Sequence, residues 1–336
     1  MGYRAEKEQE EKKQKIALWI ILAVVAVLVV GICIFAAFVP PDTWTYYVRL
    51  PKVAARRDGE LKIHFLDVGQ GDATFLELPD GKTMLIDGGD GSPAATKSIL
   101  RFLNARQVET LDYLLVTHAD SDHCGGLARI MQLKKVKKAY IPTTLPEENV
   151  AYAKFYATMI ASGCSWEYSS RTSSIESKND NYPYTLKFLY PYEEMVDPDF
   201  PAEVDDNEFS AVCWLDYQGV SALFTGDIPA SVEGQLLRDD KLGLLAYGGI
   251  QLDSTEILKV AHHGSADSTG AEFLSHLNVE TAVISCGVDN AYGHPTETVL
   301  GRLNLAGVTA YRTDLNGHIS VTVSPNGTYQ TSCLGK

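Results

Sequence analysis

The chain has 336 residues, of which 45% are hydrophobic, and a formal net charge of −14. This apolar fraction is sufficient for a packed core and excludes a disordered tail. The acidic balance argues against nonspecific nucleic-acid binding through many phosphate contacts. The six cysteines form no CxxC pair, so their spacing predicts neither a zinc finger nor a disulfide framework.

The first predicted element is a transmembrane helix at residues 16–39. No charged residue occurs from Ile16 to Val39, and as a helix this stretch is about 36 Å long, enough to span a bilayer. A cleaved signal peptide is the alternative, but its apolar region is usually only about 7–15 residues long. Lys12, Lys13 and Lys15 lie directly before the span, whereas residues 40–48 carry no basic residue. Residues 1–15 are therefore predicted to be cytoplasmic, and the rest of this single-pass membrane protein extracellular.

Residues 40–60 contain scattered prolines and charges without a period and are predicted to be a linker. From residue 61 the pattern changes to short β-type runs, namely "LKIHFLDV", "DATFLEL" and "TMLID", then a helix at 94–105, strand "LDYLLVT" and a helix starting near Gly125. The second half repeats this rhythm with strands "FSAVCWLDY", "VSALFT", "EILKVA", "TAVISCG" and "HISVTV" and helices near 230–238, 271–277 and 295–305. We predict one α/β (α+β) domain at 61–336, with two mixed sheets face to face and helices outside.

Four side chains that can ligate a metal follow the strand "LDYLLVT" in the order H-x-D-x-D-H: His118, Asp120, Asp122 and His123. Residues two and four apart converge in a tight loop, while the adjacent Asp122 and His123 point in different directions. One loop can thus supply two metal ions a few ångströms apart. A solvated, N-capping acidic turn is the alternative, but the mixture of imidazole and carboxylate groups favours a metal site.

Other polar side chains also follow predicted strands. Asp227 ends the stretch "FTGD", where a Gly-Asp turn is the simpler explanation of an isolated residue. His262 and His263 follow the strand "EILKVA", and a turn is again the alternative. His294 directly precedes a predicted helix. Its side chain is a candidate metal ligand, general acid or phosphate contact, and a role in the helix cap is the alternative.

The turn "VGQGD" and the stretch "LIDGG" supply further polar groups, Asp67, Gln70, Asp72 and Asp87. We predict that these hold the first hairpin and orient the ligands.

Several motifs occur in a fixed order: "FLDVGQGDATFLEL", "LIDGG", the H-x-D-x-D-H loop, "FTGD", "LKVAHHGS", "YGHP" and "YRTDLNGHISV". In this respect the chain resembles the metallo-β-lactamase-fold hydrolases, and among them the branch similar to the extracellular hydrolase domain of the DNA-uptake protein ComEC. The resemblance covers about residues 61 to 323. It implies an αββα sandwich, in agreement with the strand and helix pattern.

The resemblance also implies roles for individual residues. His118, Asp120, Asp122 and His123 would be metal ligands, and Asp227 would bridge two metals. One histidine of the pair 262–263 would complete the set, with His263 preferred. Asp122, His262 and His294 are the candidate catalytic residues.

The chain departs from many relatives, which have H-x-H-x-D-H and a further lone histidine before the bridging aspartate. Asp120 replaces the second histidine, and no histidine lies between His123 and Asp227. Asn207 and Ser210 are the candidates for that place. Oxygen ligands in place of imidazole shift metal preference from zinc toward manganese or magnesium. We expect two divalent ions, Zn²⁺ or Mn²⁺.

The function that the resemblance implies is that of a metal-dependent phosphodiesterase or nuclease acting on DNA, anchored to the membrane by the N-terminal helix. One alternative is a surface phosphodiesterase acting on a cell-wall or small-molecule ester, as in choline-phosphate esterases of similar fold, which the acidic charge favours. Another is an inactive binding module, which loss of ligand residues would indicate. The sequence identifies no protein partner.

Overall fold

A computed structural model describes residues 2–38, 41–144, 149–177, 179–195 and 206–335. The chain divides into two compact units, Met1–Arg49 and Leu50–Lys336. The predicted segment boundaries at residues 15, 39 and 60 remain predictions.

The first unit consists of helix α1 (Gly2–Phe38), the short helix α2 (Pro41–Trp44) and a 3₁₀ turn (Thr45–Tyr47). Within α1, the segment Lys7–Phe38 contains an 18-residue stretch with a mean hydropathy of 3.3, and it is long and apolar enough to cross a membrane. This is the helix expected at residues 16–39, although Val39 lies outside the described residues.

The second unit contains two β-sheets. The first has eight strands: β1 (Leu61–Phe65), β2 (Thr74–Glu77), β3 (Thr83–Ile86), β4 (Thr110–Leu115), β5 (Lys135–Ile141), β6 (Ser165–Tyr168), β14 (Ile319–Val323) and β15 (Tyr329–Cys333), in the order β15–β14–β1–β2–β3–β4–β5–β6. The second has seven: β7 (Ser174–Glu176), β8 (Tyr184–Tyr190), β9 (Val212–Tyr217), β10 (Val220–Phe224), β11 (Thr255–Lys259), β12 (Thr281–Ile284) and β13 (Thr309–Arg312), in the order β13–β12–β11–β10–β9–β8–β7.

Helices connect these strands: α3 (Pro93–Ala105), α4 (Ser121–Cys124), α5 (Leu127–Leu133), α6 (Val150–Ser162), α7 (Ala230–Lys241), α8 (Leu244–Tyr247), α9 (Ala271–His276), α10 (Glu297–Leu305) and α11 (Thr313–Asn316). Local signals place their starts. Ser92 caps α3 by accepting a hydrogen bond from the Ala95 N–H, and Pro93 occupies the first turn, where its missing N–H costs nothing.

The core lies between the sheets because their strands alternate. In β1, Leu61, Ile63 and Phe65 join the central cluster with residues of the second sheet such as Phe224 and Val283. The neighbouring Leu223 belongs instead to a cluster on the outer face of the second sheet, which includes side chains of α7, α9 and α10. A strand period of two thus supplies both faces. The predicted two-sheet α/β architecture is confirmed.

Strand direction brings the polar loops together. β3, β4 and β5 run parallel in the first sheet, as β10, β11 and β12 do in the second. Loops at the carboxyl ends of parallel strands meet at one edge of a sheet. The helix expected to start near Gly125 is α5, which begins at Leu127. A separate four-residue helix, α4, precedes it, so the H-x-D-x-D-H loop itself enters α4.

Candidate metal centre

The metal loop, residues 118–123, runs from the end of β4 into α4. Asp120 occupies the N-cap position, where its backbone oxygen accepts hydrogen bonds from the N–H groups of His123 and Cys124. Its side chain makes no capping hydrogen bond within the described structure. The capping alternative for this aspartate therefore finds no support, and its carboxylate is free for another role.

Asp227 lies at the middle of the candidate site, just after β10, and is buried. Its Oδ1 is 3.3 Å from His123 Nε2, and its Oδ2 is 3.3 Å from His263 Nε2. Asp122 approaches the same imidazole, with Oδ2 3.2 Å from His263 Nε2. One carboxylate thus faces histidines from both sheets, which is the placement expected of a group that bridges two cations.

His118 and Asp120 lie beside this group. His118 is fully buried, its ring is 4.1 Å from that of His123, and its Nε2 is 3.6 Å from Asp120 Oδ2. The Asp120 side chain is 43% exposed. This half of the site is therefore the more open one.

The histidines are held from behind, at Nδ1. Asp87 Oδ2 accepts a hydrogen bond of 2.8 Å from His123 Nδ1, and both Asp87 oxygens accept hydrogen bonds from Thr117, one from its N–H and one from its hydroxyl. His263 Nδ1 donates to the Ser285 carbonyl at 2.9 Å. Partners of this kind fix the tautomer and direct Nε2 toward a metal. The orienting role predicted for Asp87 agrees with this geometry.

Ser210, one of the two candidates for the place of the additional histidine, contacts His118 and Asp227. Its hydroxyl is 3.1 Å from His118 Nδ1 and accepts a hydrogen bond from the Asp227 N–H at 3.1 Å. Asn207 lies one turn earlier, half-buried in a 3₁₀ helix (Asp206–Phe209). Ser210 therefore supports His118 and Asp227 from behind.

The carboxylates give the site a strongly negative potential. Burial by itself would lower the pKa of His123, but Asp227 and Asp87 outweigh it and raise that pKa well above its usual value. The pKa of His263 rises to about 10 against the same opposing burial, because of Asp227 and Asp122. Burial would raise the pKa of Asp227, yet the two histidines hold it far below normal. Such a cluster stabilises positive charge at its centre.

Four buried atoms aimed into the cluster have no hydrogen-bond partner among the described residues: Nε2 of His118, His123 and His263, and Oδ1 of Asp227. Buried polar groups are normally satisfied, so each such atom requires an explanation. Imidazole nitrogens and carboxylate oxygens are ligands for zinc and manganese. The donor set therefore fits divalent metal ions.

His262 and His294 form the rim. The His262 ring is 5.6 Å from that of His294 and 6.3 Å from that of His263. Both are half-buried, whereas His263 is buried and lies against Asp227. Of the histidine pair, the structure brings His263 into the cluster and leaves His262 outside it.

Two groups at the centre differ from the expectation: the sequence assigns Asp72 only an orienting role and does not point to Lys259. Asp72, His123, Asp227 and His263 offer ligand atoms that all lie within 4.8 Å of one another. Lys259 is buried, and its Nζ is 2.7 Å from Asp72 Oδ2. The pKa of Lys259 is raised, since Asp72 and Asp227 overcome the opposing effect of burial. A lysine within the apolar run "ILKVA" (257–261) is the signal that could have identified it.

Comparison with known proteins defines the class to which the chain belongs. Residues 66–288 match the Metallo-beta-lactamase superfamily. The chain belongs to this superfamily of metal-dependent hydrolases, whose fold binds metal ions, typically zinc.

Its relatives include competence proteins. The chain is 30% identical over 275 residues to ComE operon protein 3 of Bacillus subtilis, covering 77% of this chain and 33% of that protein. It is 30% identical over 273 residues to Competence protein ComA of Neisseria gonorrhoeae, covering 80% and 33% respectively. The chain thus spans about a third of the length of these relatives. Among solved structures, the metallo-beta-lactamase fold protein YhfI from Bacillus subtilis matches with a TM-score of 0.47 and 8% identity, over 81% of this chain and all of that one.

Proposed function

We propose that the protein is a membrane-anchored, extracytoplasmic phosphodiesterase that uses two divalent ions, Zn²⁺ or Mn²⁺, and cleaves DNA. The observation that carries the proposal is the set of buried ligand atoms of His118, His123, His263 and Asp227 that make no hydrogen bond among the described residues and converge in a chain of a hydrolase superfamily. The competence relatives support a nucleic acid as the substrate.

The proposed ligands divide into two groups that share Asp227. Asp122, His123 and His263 would form one group, since they lie within 3.3 Å of Asp227 or of each other. His118 and Asp120 would form the other. When bound, the two ions would supply Lewis acidity and lower the pKa of a water nucleophile.

The remaining chemistry belongs to side chains at the rim. Asp122 is 27% exposed and can reach both the cluster and a substrate. Burial, together with His262 and His263, lowers the pKa of His294. His294 is then neutral at pH 7 and can exchange a proton or a hydrogen bond with a phosphate oxygen. We assign His262 and His294 to the substrate phosphate.

A surface phosphodiesterase acting on a cell-wall or small-molecule ester is the second candidate. The net charge of −14 favours it, because long nucleic acids are bound largely through Lys and Arg contacts to phosphates.

The test uses the full chain, loaded with Mn²⁺ or Zn²⁺ and assayed on plasmid, on single-stranded DNA and on bis-p-nitrophenyl phosphate. Cleavage of DNA is the expected result. Cleavage of the small ester without DNA cleavage would favour the second candidate. Absence of turnover on every substrate, with metal bound, would indicate a binding module.

Two variants test the site itself. Asp227→Ala and His123→Ala are expected to lose bound metal and activity together. His276→Ala is the control, because this histidine, on α9, pairs with Asp240 of α7 at 2.6 Å, outside the cluster. Full metal content and activity in Asp227→Ala would refute the proposed ligand set.

A further inference from the structure

An aromatic side chain stands exposed beside the rim histidines. Tyr292 is 70% exposed. One face of its ring stacks on His294, with centroids 5.9 Å apart and an interplanar angle of 26°. Among the described residues, no hydrogen bond or ion pair holds the Tyr292 side chain. The opposite face of the ring is therefore open to solvent, and packing does not explain the residue.

The loop that carries this ring, residues 287–294, is braced internally. Asn290 Nδ2 donates to the carbonyls of Gly287 and His294, and Asn290 Oδ1 accepts from the His294 N–H. The Gly287 N–H donates to Gln70 Oε1, which ties the loop to the "VGQGD" turn. Tyr292 is thus presented on a fixed platform, so that little conformational entropy is lost when a ligand covers it.

A row of rings leads from Tyr292 to the metal centre. Tyr292 stacks on His294, the His294 ring is 5.6 Å from His262, and the His262 ring is 6.3 Å from His263. His263 Nε2 is 3.3 Å from Asp227. When a phosphate of a polynucleotide lies at the rim, a base only a few nucleotides from the cleaved bond would lie over the Tyr292 ring.

We propose that the exposed face of Tyr292 is a stacking subsite for an unpaired nucleobase of the substrate, which makes single-stranded nucleic acid the preferred substrate class. The inference rests on the proposed nuclease function. Stacking on an aromatic ring is sequence-tolerant, and it requires a base that is free of its partner strand. It also suits an acidic protein with a net charge of −14, because it adds affinity without further phosphate contacts.

The experiment compares the metal-loaded wild-type chain with Tyr292→Ala and Tyr292→Phe. Each is tested on single-stranded oligonucleotides in which one nucleotide at a time is abasic. Tyr292→Ala is expected to raise KM for intact single strands about 5- to 100-fold, while Tyr292→Phe stays near wild type because it keeps the ring. On the oligonucleotide whose abasic position faces Tyr292, wild type and Tyr292→Ala should behave alike, since removing either partner abolishes the same contact.

Binding gives a second readout. Oligonucleotides carrying 2-aminopurine at that position should lose fluorescence on binding to wild type and keep it on binding to Tyr292→Ala. Tyr247→Ala is the matched control, because Tyr247 is 97% exposed at the end of α8 and has no ring contact with the histidines within the described structure.

Three outcomes contradict the subsite. It is wrong, although the nuclease proposal stands, if wild type cleaves single strands and Tyr292→Ala matches it on every oligonucleotide. It is equally wrong if wild type cleaves duplex DNA at least as well as single strands. If wild type neither binds nor cleaves any oligonucleotide, the nuclease proposal fails and the subsite fails with it.

Discussion

His123 shows how a single proposed metal ligand is positioned in this site. Asp87 lies behind it and accepts its Nδ1–H at 2.8 Å, while Asp227 faces its Nε2 at 3.3 Å. Asp87 also accepts from the N–H and the hydroxyl of Thr117. Both of its oxygens are therefore needed as acceptors, a requirement that a carboxylate meets and an amide does not.

Asp87→Asn is expected to weaken metal binding about 10- to 100-fold, because the amide removes one acceptor and leaves His123 without its orienting carboxylate. Asn is the appropriate replacement, since Asp87 has a φ of 60° and asparagine tolerates this left-handed region. Competition with a chelator measures the affinity.

Asp289→Asn controls for this substitution. Asp289 has a φ of 50° but is exposed and lies outside the metal cluster. The Asp289→Asn variant should bind metal with the affinity of wild type. Unchanged affinity in Asp87→Asn would show that His123 is positioned without it.

At the scale of single residues, the sequence is most informative where the proposed ligands are close along the chain. The metal loop could be found because four ligand-type side chains occupy six positions. Asp227 and His263 are distant in sequence and could be placed through the order of motifs. The pairing of Lys259 with Asp72 depends on which strands become neighbours, and local pattern does not contain that information.

At the scale of elements, the turn before β2 packs against the metal loop. The Asp72 N–H donates to the Asp122 carbonyl at 3.1 Å. Gly71 has a φ of 130°, and a Cβ there would lie 2.3 Å from the Asp122 carbonyl oxygen. The turn can approach the metal loop this closely because Gly71 lacks a side chain.

Gly71→Ala should displace the metal loop and lower both metal affinity and the thermal midpoint. Gly69→Ala is the matched control. Gly69 has a φ of 77°, but a Cβ there meets nothing within 4 Å, so the change should cost only the backbone strain of about 1–2 kcal/mol. Equal metal affinity in the two variants would contradict the close-packing argument.

A polar network on the outer face of the first sheet joins β1, β2 and β14 and makes stability depend on pH. His64 Nε2 donates to Glu77 at 3.0 Å, and His64 Nδ1 accepts from Ser320 at 2.7 Å. Burial lowers the pKa of His64. Burial would raise the pKa of Glu77, but His64 and Arg106 lower it to about 2. Burial likewise lowers the pKa of His318 to about 4.

Acid should therefore destabilise the fold in two stages. Between pH 6.5 and about 4 the unfolded chain binds protons that folded His64 and His318 exclude. The free energy of unfolding therefore decreases as the pH is lowered, by up to about 3 kcal/mol for His318. From about pH 4.5 to 2, protonation of Glu77 removes a further contribution. Thermal midpoints measured from pH 7 to 3 test this.

His318→Asn should flatten the first stage. Asparagine does not titrate and can still accept the hydrogen bond that His318 Nδ1 accepts from the Asp67 N–H at 2.9 Å. An unchanged slope between pH 6.5 and 4 would show that His318 does not titrate as described.

Most strands at the site are visible in the sequence, whereas several others are not. The strands β1 to β4 and β9 to β12 have apolar runs bounded by turns, and the sequence predicts each of them. Helix α6 and strands β5 to β8 lie in a stretch with mixed tyrosines, lysines and serines, and β15 is a largely exposed edge strand. The neighbouring strands with which they pair, rather than their own sequence pattern, define the strands in this group.

At the scale of the whole molecule, the chain combines an apolar helix with an acidic hydrolase unit. The composition and the motif order predicted both parts. The substrate could not be predicted in the same way, because superfamily membership defines a chemistry and a fold while the surface around the site selects the ligand.

Helix α1 predicts that the protein is held in a membrane. A chain with a tag at its N-terminus should fractionate with membranes and resist extraction at alkaline pH, because its apolar segment is long enough to span the bilayer. A variant lacking residues 2–39 should be released. Loss of the tag with release of the rest would instead indicate a cleaved signal peptide.

Orientation is tested separately, in intact cells, by adding protease from outside. The hydrolase unit should be digested, since Lys12, Lys13 and Lys15 favour a cytoplasmic N-terminus. Replacing these three lysines by glutamine leaves only Arg4 and Lys7 before the span and so reduces that bias, while Arg49, Lys52, Arg56 and Arg57 on the other side remain. Part of the variant population should then become protected. Complete protection of the wild-type unit would place it in the cytoplasm and rule out an extracellular substrate.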